Sequence, residues 1–424
     1  MYRSSNLPEL VKSAKLRKQE QHLKTVGAER DLYRTMVSDC KASVADGTVL
    51  GQNAACSRPG TVHYSFDFAQ QVHFPSDALQ PGPMYFLCPR KCGIFGICCE
   101  GIPQQVNFLI DESHCCSKGS NAVISYLDYF FRHYGLGETS VHLHCDNCSG
   151  QNKNRYMLWY LLWRCCLGLH HEITLNFLVT GHTKFAPDWC FGLFKRMFRR
   201  SSVSCLDDIA AVMRKSTVST LNVPQLVGKE SGESFVPCRN WQQFLENYFK
   251  TLPKIKSYHH FHFTSSKPGV VFVKEYHDSP EVQYNLMGKV AIETDLPEII
   301  PAPGLDSKRQ WYLFHQIRDF CSEDAKDLVC PKPTDPEPSA QEQEPKPGPS
   351  SSARENKSVQ KLQSKASRPK VVPKRPYKQP TAGESDSEEV ESEARKVVAI
   401  TATTSSGQKT RSGRQVRRNV KFQD

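Results

Sequence analysis

Four carboxylates of this sequence could perform chemistry, because each lies within or beside a short apolar segment: Asp67, Glu112, Asp146 and Asp188. Carboxylates that gather at one place bind divalent cations, and two such cations about 4 Å apart can activate an attacking oxygen and stabilise a leaving one. Mg²⁺ prefers hard oxygen ligands and keeps several waters, so about two to four carboxylates are enough to hold it. We therefore expect Asp67, Asp146 and Asp188 to bind Mg²⁺ or Mn²⁺ if the fold brings them together.

The segment 141–155 reads VHLHCDNCSGQNKNR and changes from a strand-like alternation to a helix-like pattern. Asp146 stands at the change, and the carboxyl end of a strand is where α/β sheets place catalytic or ligand-binding acids. The polar run after it could bind phosphate at a helix N-terminus, with Lys153 as a nucleic-acid contact. Plain capping of the helix by Ser149 is the structural alternative.

Asp67 lies between two phenylalanines in an alternating segment over 60–74. An acid in an aromatic strand requires a compensating interaction, which favours a functional role. Glu112 follows a predicted strand over 104–110, and the neighbouring Asp111 competes with it for a catalytic role. Either acid could instead be a surface or turn residue.

The segment 181–188 reads GHTKFAPD and leads into a predicted helix. Asp188 would be the third acid, although an acid in a first helical turn also stabilises the helix dipole. His182 could orient a water or contact a scissile phosphate, and Lys184 could contact the nucleic-acid backbone. A capping and turn role for these two residues is an equal alternative.

The elements that must position these acids follow the order β-β-β-α-β-α-β-α. Short links between the first three strands indicate an antiparallel meander, and the later alternation indicates parallel strands with right-handed crossovers. The predicted fold class is therefore α/β, with an RNase H-like mixed five-stranded sheet and flanking helices. The predicted strands are 60–74, 84–98 (two short runs counted as one), 104–110, 141–145 and 173–179, and the predicted helices are 120–134, 151–167 and 187–198.

Composition separates a foldable part from a tail in this chain of 424 residues. After Pro331, the scarcity of large apolar residues leaves too little surface to bury against the cost of chain entropy. We predict an N-terminal helical segment over 1–50, an RNase H-like core over 58–200, a helical and small-sheet appendage over 201–330, and a disordered tail over 331–424.

The charge and the cysteines indicate the partners and the compartment. A net charge of +11 favours polyanions. The seventeen cysteines are odd in number and often adjacent, which favours reduced thiols over a disulfide scaffold; a zinc site remains a weaker alternative, because the paired C-x2-C repeat is missing. No apolar signal or membrane span is present, so we expect no membrane partner.

The tail carries two basic segments. Residues 365–378 form a plausible nuclear localisation patch, which predicts a nuclear protein. A second basic arm over 409–421 holds Arg414, Arg417 and Arg418, which could bind nucleic acid through counterion release without sequence preference. An inert soluble tail is the alternative.

Five motifs together carry a resemblance to a known family: SFDFAQQ, QPGPMYF, NAVISYL, HCDNCSGQNKNRY and GHTKFAPDWCFG. They resemble a large family of uncharacterised animal proteins with a domain of unknown function thought to derive from DNA transposons. The resemblance covers about residues 28–331 and implies an RNase H-like core of the DDE/D transposase type. It implies Asp67 and Asp146 as two of the acids, with Asp188 as the third. Relatives often carry a longer N-terminal region, so we expect a separate DNA-recognition module to be missing here.

These observations lead to three functional hypotheses. The first is a metal-dependent, transposase-derived protein that hydrolyses or transfers DNA strands. The second is a domesticated, catalytically inactive nucleic-acid-binding or chromatin-associated protein. The third is a protein-interaction scaffold with a regulatory tail. We expect DNA as the partner and leave a homo-oligomer open.

Overall fold

The computed structural model describes residues 9–45, 47–79 and 82–337 of the chain. The predicted nuclear localisation patch and the basic arm with Arg414, Arg417 and Arg418 lie outside these residues, as does nearly all of the predicted tail. The helices are α1 Glu9–Ser43, α2 Ser120–His133, α3 Arg155–Cys166, α4 Ala186–Phe198, α5 Leu206–Lys215, α6 Trp241–Glu246, α7 Ser307–Tyr312 and α8 Lys326–Val329. The strands are β1 Arg58–Phe74, β2 Arg90–Cys99, β3 Gln104–Asp111, β4 Glu138–Cys145, β5 Glu172–Phe177, β6 Asn222–Leu226, β7 His260–Thr264, β8 Val270–Lys274 and β9 Val282–Asn285.

These strands form one mixed sheet in the order β6-β3-β2-β1-β4-β5-β7-β8-β9. In its middle, β1, β2 and β3 are antiparallel neighbours, while β4 runs parallel to β1 and β5 runs parallel to β4. The α/β class and the mixed sheet are therefore confirmed. Short links allow the antiparallel meander, and the helices α2 and α3 supply the crossovers to the parallel strands.

The predicted count of five strands is wrong, because the sheet continues on both sides of those five. On one side β6 pairs with β3, and on the other side β7 pairs with β5 and begins a meander through β9. Alternation in sequence identifies a strand but does not identify its neighbour, so these segments suggested a separate small sheet. Residues 84–86, predicted as part of a strand over 84–87, belong instead to a 3₁₀ turn, Gly82–Phe86.

The apolar face of the sheet supports the larger part of the core. Tyr64 and Phe66 of β1 point to this face and are fully buried with residues of α2, α3 and α6. The helix α3 is buried on nearly every side, as its apolar sequence predicts. Each fully buried leucine or phenylalanine contributes about 1.5–3 kcal/mol. This packing fixes the register of β1 and β4, and hence the positions of Asp67 within β1 and of Asp146 directly after β4.

The opposite face is polar in its centre and is covered by α1, α4 and α5. Buried His63 and His144 lie side by side there, with 2.8 Å between His63 Nε2 and His144 Nδ1. The helix α1 crosses this polar patch and is held by the Tyr33 hydroxyl, which donates to Glu100 at 2.7 Å, and by Glu29, which is 2.8 Å from His260 Nε2. The predicted N-terminal helix is therefore an integral part of the described fold.

Two further observations concern the residues that the structure describes. No helix among them combines the length and the hydrophobicity that a membrane span requires. Each of the cysteines is a free thiol.

Candidate active site

Asp67 and Asp146 occupy equivalent levels on neighbouring strands. The last paired residues of the parallel strands β1 and β4 are Ser65 and His144, and each acid lies two residues beyond its member of this pair. Side chains two residues apart on a strand share a face, so the Asp67 carboxylate points to the polar face of the sheet. Asp146 directly follows the last residue of β4, and its charge acts on Asp67. The predicted convergence of these two acids is consistent with this register.

The electrostatics of Asp67 indicate how close the acids are. Burial and the negative charge of Asp146 raise the pKa of Asp67 to about 7. The charge of Asp188 adds to this rise, while the Phe68 backbone N–H, which donates to Asp67 Oδ1 at 2.7 Å, acts in the opposite direction. Burial together with like charges thus outweighs the one compensating hydrogen bond, and such a shifted carboxyl is typical of functional sites.

Asp146 is fixed by the polar loop that follows it. Its Oδ1 accepts the Cys148 backbone N–H at 3.0 Å and the Asn152 side-chain amide at 2.7 Å. Asn154 then caps α3, since its side chain accepts the backbone N–H groups of Tyr156 and Met157. The helix therefore begins later than predicted, and the cap is Asn154 rather than Ser149. The asparagine-rich run builds the loop that orients the acid.

Asp188 lies in the first turn of α4, as the sequence predicts. Its Oδ2 accepts the Phe185 backbone N–H at 3.2 Å and so helps to begin the helix. Burial raises the pKa of Asp188, and the charge of Asp146 contributes in the same direction, whereas Lys184 and Lys195 lower it. Because the residue as a whole is exposed, solvent screens this shift and keeps it smaller than that of Asp67. Asp188 thus interacts electrostatically with the other two acids and also serves as a helix cap.

Lys153 is close to the acidic site but is buried, with 5% of its surface exposed. Its Nζ donates to Asn147 Oδ1 at 2.9 Å and lies 5.0 Å from the centre of the Phe177 ring. Burial lowers the pKa of Lys153 to about 8. The Asn147 amide in turn hydrogen-bonds the Leu178 carbonyl. The lysine therefore stabilises the loop between β4 and α3. Its predicted contact with nucleic acid stays a prediction.

His182 and Lys184 lie in the loop between β5 and α4. The backbone carbonyls of both residues accept hydrogen bonds from the Arg30 guanidinium of α1, at 3.2 Å and 3.3 Å. The ring of His182 packs 5.2 Å from that of His22, while the Lys184 side chain is exposed. The helix α1 thus holds the loop that leads to Asp188, which sequence patterns did not reveal.

Glu112 does not join the three aspartates. Both of its oxygens are 2.9 Å from nitrogens of Arg309, and one also accepts the Lys91 backbone N–H. Asp111 is likewise neutralised, because Arg90 donates to its two oxygens at 2.6 Å and 2.9 Å. These contacts show two structural ion pairs at the end of β3.

The residue of β3 that is in register with Asp67, across β2, is an asparagine. Asp67 is aligned with Gly96 of β2, which is aligned in turn with Asn107 of β3. Asp111 lies four residues further along β3, a distance of about 13 Å at the usual rise of a strand. Glu112 follows it and is therefore still further from the aspartates along the strand direction.

Among the described residues, no cluster of three or more histidines, cysteines, aspartates or glutamates has the arrangement of a metal site. The charges of the aspartates therefore influence one another, although their side chains do not have the arrangement of a ready metal site. Asn152, the residue that holds Asp146, was noted in the sequence only as part of a polar run. Its position six residues after the acid, in the turn before a helix, is the signal that could have identified its role.

Comparison with known proteins gives one match. A family model described as a domain of unknown function (DUF7869) matches residues 89–281. The matched segment contains Asp146 and Asp188 but not Asp67, which lies before it. Neither the curated proteins nor the solved structures contain a significant match to this chain.

Proposed function

We propose that this protein performs metal-dependent phosphodiester chemistry on DNA, by hydrolysis or strand transfer, with an RNase H-like core of the transposase type. The observation that carries this proposal is the placement of Asp67 within β1 and of Asp146 directly after the parallel neighbour β4, each two residues beyond the paired Ser65 and His144. In this view the core derives from a DNA transposon, and the protein acts in the nucleus.

The donor set fits a hard divalent cation. Asp67 and Asp146 would hold Mg²⁺ or Mn²⁺, with Asp188 as the third carboxylate, because Mg²⁺ is commonly bound by one or two carboxylates and keeps several waters. Both described hydrogen bonds to Asp146 go to Oδ1, which leaves Oδ2 for a further ligand. A bound cation would lower the pKa of a water or hydroxyl and stabilise the charge on the leaving oxygen.

The chain's own residues supply the remaining requirements of this chemistry. Asn152 and the Cys148 backbone fix the orientation of Asp146, so that little reorganisation is needed when a cation binds. Asp67 holds a proton below pH 7 and releases it above that pH, so its charge becomes available for a cation near neutral pH. His182 is a candidate to orient a water at the mouth of the site.

The central strand order supports the RNase H-like core. In that architecture the first three strands are antiparallel, the fourth and fifth run parallel to the first, and the acids lie on the first strand and after the fourth. The order β3-β2-β1-β4-β5 and the positions of Asp67 and Asp146 agree with this plan. Fold alone does not determine function, so the acids matter more than the strand order.

A basic helix face supports nucleic acid as the partner. Lys195 and Arg199 follow Asp188 at spacings of seven and eleven residues, so the three side chains share one face of α4. Burial is the main cause that lowers the pKa of Lys195. The charge of Arg199 lowers this pKa further, and the charge of Asp188 raises it. Gly192 lies between them with open space at its Cα. A phosphate backbone could follow this face toward the acids.

A second candidate is a catalytically inactive nucleic-acid-binding protein with the same fold. Asp188 favours it, because this carboxylate is partly used as a helix cap and the described acids do not complete a metal cage. In that case the basic face of α4 would bind DNA, and the acids would serve only to shape the loop.

The test is cleavage of end-labelled DNA by the full chain in Mg²⁺ or Mn²⁺, compared with an Asp146→Asn variant. A matched control is Glu172→Gln, an exposed acid at the opposite end of the neighbouring strand β5. We expect the wild type and the control to cleave, and the Asp146→Asn variant to lose at least about a hundredfold in rate, as removal of a metal ligand implies. Equal rates in all three proteins would contradict the enzymatic function. DNA binding without cleavage by any of them would support the inactive candidate.

A further inference from the structure

Three pairs of cysteines lie close together in the described fold. Cys98 and Cys190 share a small core cluster, the sulfurs of Cys321 and Cys330 are 4.0 Å apart, and Cys116 and Cys238 line the same cavity. The first two pairs are inside the core, where none of the four residues exposes more than 6% of its surface: Cys98, Cys190, Cys321 and Cys330. The third pair is only half-buried. Cys116 and Cys238 therefore differ from the other two pairs in being accessible to solvent.

Both residues of this pair lie in loops beside a cavity. Cys116 precedes α2 by four residues, and Cys238 precedes α6 by three. They line a cavity of about 130 Å³ together with His114, Tyr126 and Ser234. That volume accommodates a small molecule, since one water occupies about 30 Å³ in the liquid.

The two thiols are unequal. Cys238 hydrogen-bonds the sulfur of Cys116, and this bond lowers the pKa of Cys116 to about 7 although partial burial opposes it. The same contact raises the pKa of Cys238, and burial adds to that rise. The Cys116 sulfur also approaches the exposed Pro301 carbonyl at 3.9 Å. The direction of the two pKa shifts makes Cys116 the more acidic thiol, and we therefore assign it the first reaction and Cys238 the resolving role.

We propose that Cys116 and Cys238 form a modification site at which a hydroperoxide converts the two thiols into a disulfide. The cavity admits the peroxide to both half-exposed thiols. This inference is independent of the acidic site, because it concerns the loops before α2 and α6.

The chemistry is balanced in two steps. The Cys116 thiolate attacks a peroxide oxygen, an S–O bond forms, the O–O bond breaks, and the leaving oxygen takes up a proton as water or an alcohol. The Cys238 sulfur then attacks the Cys116 sulfenic acid, an S–S bond forms, the S–O bond breaks, and the hydroxide leaves as water with the thiol proton. The two cysteines lose two electrons together, and the peroxide is reduced.

The test uses the full reduced chain, treated with hydrogen peroxide, alkylated, and mapped by peptide mass spectrometry. We expect a disulfide between Cys116 and Cys238 that forms at least about tenfold faster than one between Cys321 and Cys330, because exposure and thiolate character govern oxidation. The buried pair in the same sample is the internal control. The rate should rise with pH through about 7, as the Cys116 thiolate forms.

A Cys238→Ser variant separates the two steps. It should stop at a Cys116 sulfenic acid, which a cyclic 1,3-diketone traps, while circular dichroism checks that the variant is folded. The proposal is overturned if Cys116 and Cys238 remain free thiols when Cys321 and Cys330 are oxidised. It is also overturned if the disulfide forms at a rate that does not change between pH 6 and pH 8.

Discussion

Asp67 and Asp146 lie two residues beyond the paired residues Ser65 and His144 of two parallel strands, and the charge of one raises the pKa of the other. Burial contributes more than this repulsion, and together they bring the pKa of Asp67 to about 7. Two negative charges at this place therefore lower the stability of the fold unless a proton or a cation neutralises one of them. This dependence on a neutralising ion leads to two predictions about the whole protein.

The first prediction concerns cation binding measured as thermal stability. Mg²⁺ at about ten to a hundred times its dissociation constant should stabilise the fold by about 1–3 kcal/mol. Because the cation must displace the proton of Asp67, the stabilisation should be larger at pH 8 than at pH 6. Scanning fluorimetry with and without Mg²⁺ at the two pH values measures it. The Asp146→Asn variant should lose the effect and Glu172→Gln should keep it; equal shifts in both variants would contradict a site at these acids.

The second prediction concerns Asp67 without a cation. Its pKa is raised in the folded state, so the folded chain binds more protons than the unfolded chain between about pH 4 and pH 7. The free energy of unfolding should therefore fall as the pH rises through this window. Asp67→Asn should remove that part of the fall and stabilise the protein at pH 8 by on the order of 2 kcal/mol. Urea denaturation in EDTA at pH 5 and pH 8 measures the difference, and an effect that is larger at pH 5 would have the wrong sign.

The sequence selected these two acids as candidates from signals that are local. Asp67 interrupts an aromatic alternation, and Asp146 ends another strand at a turn. Parallel pairing of the first and fourth strands then brings both to one place. The same reasoning failed to distinguish Glu112, whose partner Arg309 is 197 residues away in the sequence. An acid after a strand looks the same whether a cation or an arginine will neutralise it.

Burial and strand neighbours were the other features that local patterns could not supply. Lys153 belongs to a polar segment, which suggests an exposed side chain. In the structure Lys153 packs over the Phe177 ring and is buried. His260 of β7 lies on a face that α1 covers, where Glu29 binds the imidazole. Such long-range contacts depend on the packing of α1, which its own weakly apolar pattern does not determine.

The third prediction separates two lysines that the sequence assigned alike to nucleic acid. Lys184 is exposed beside the acids, so Lys184→Gln should reduce the salt dependence of DNA binding by about one counterion. Arg199→Gln, on the basic face of α4, should do the same. Lys153→Met should leave the slope nearly unchanged, because its Nζ is engaged with Asn147 inside the fold. Fluorescence anisotropy over a range of KCl concentrations measures the slopes.

The outcome for Lys153 decides whether its predicted contact with phosphate is direct. A slope that falls by about one counterion in Lys153→Met would require the loop to open and expose the lysine on binding. Unchanged slopes in all three variants would instead show that neither the surroundings of the three aspartates nor α4 contacts DNA.

The fourth prediction concerns the acids at the end of β3. Arg90 and Asp111 form an ion pair with 2% and 0% of their side chains exposed. Arg90→Met should lower the free energy of unfolding by about 3–5 kcal/mol, because it leaves the Asp111 carboxylate buried without a partner. Replacing both residues, as Arg90→Met with Asp111→Leu, should recover most of the loss, since no unpaired charge then remains. Denaturant titration of the two variants measures both effects.

Glu112 provides the functional counterpart of this experiment. Glu112→Gln weakens the contacts with Arg309 and Lys91 and should cost about 1–3 kcal/mol of stability, since its partners are charged or buried groups. The DNA-cleavage rate of the folded variant should remain within about threefold of the wild type, well short of the loss expected for a metal ligand. A loss of activity as large as that of Asp146→Asn, with the fold intact, would restore Glu112 as a catalytic residue. It would also mean that the end of β3 moves toward the aspartates when the substrate binds.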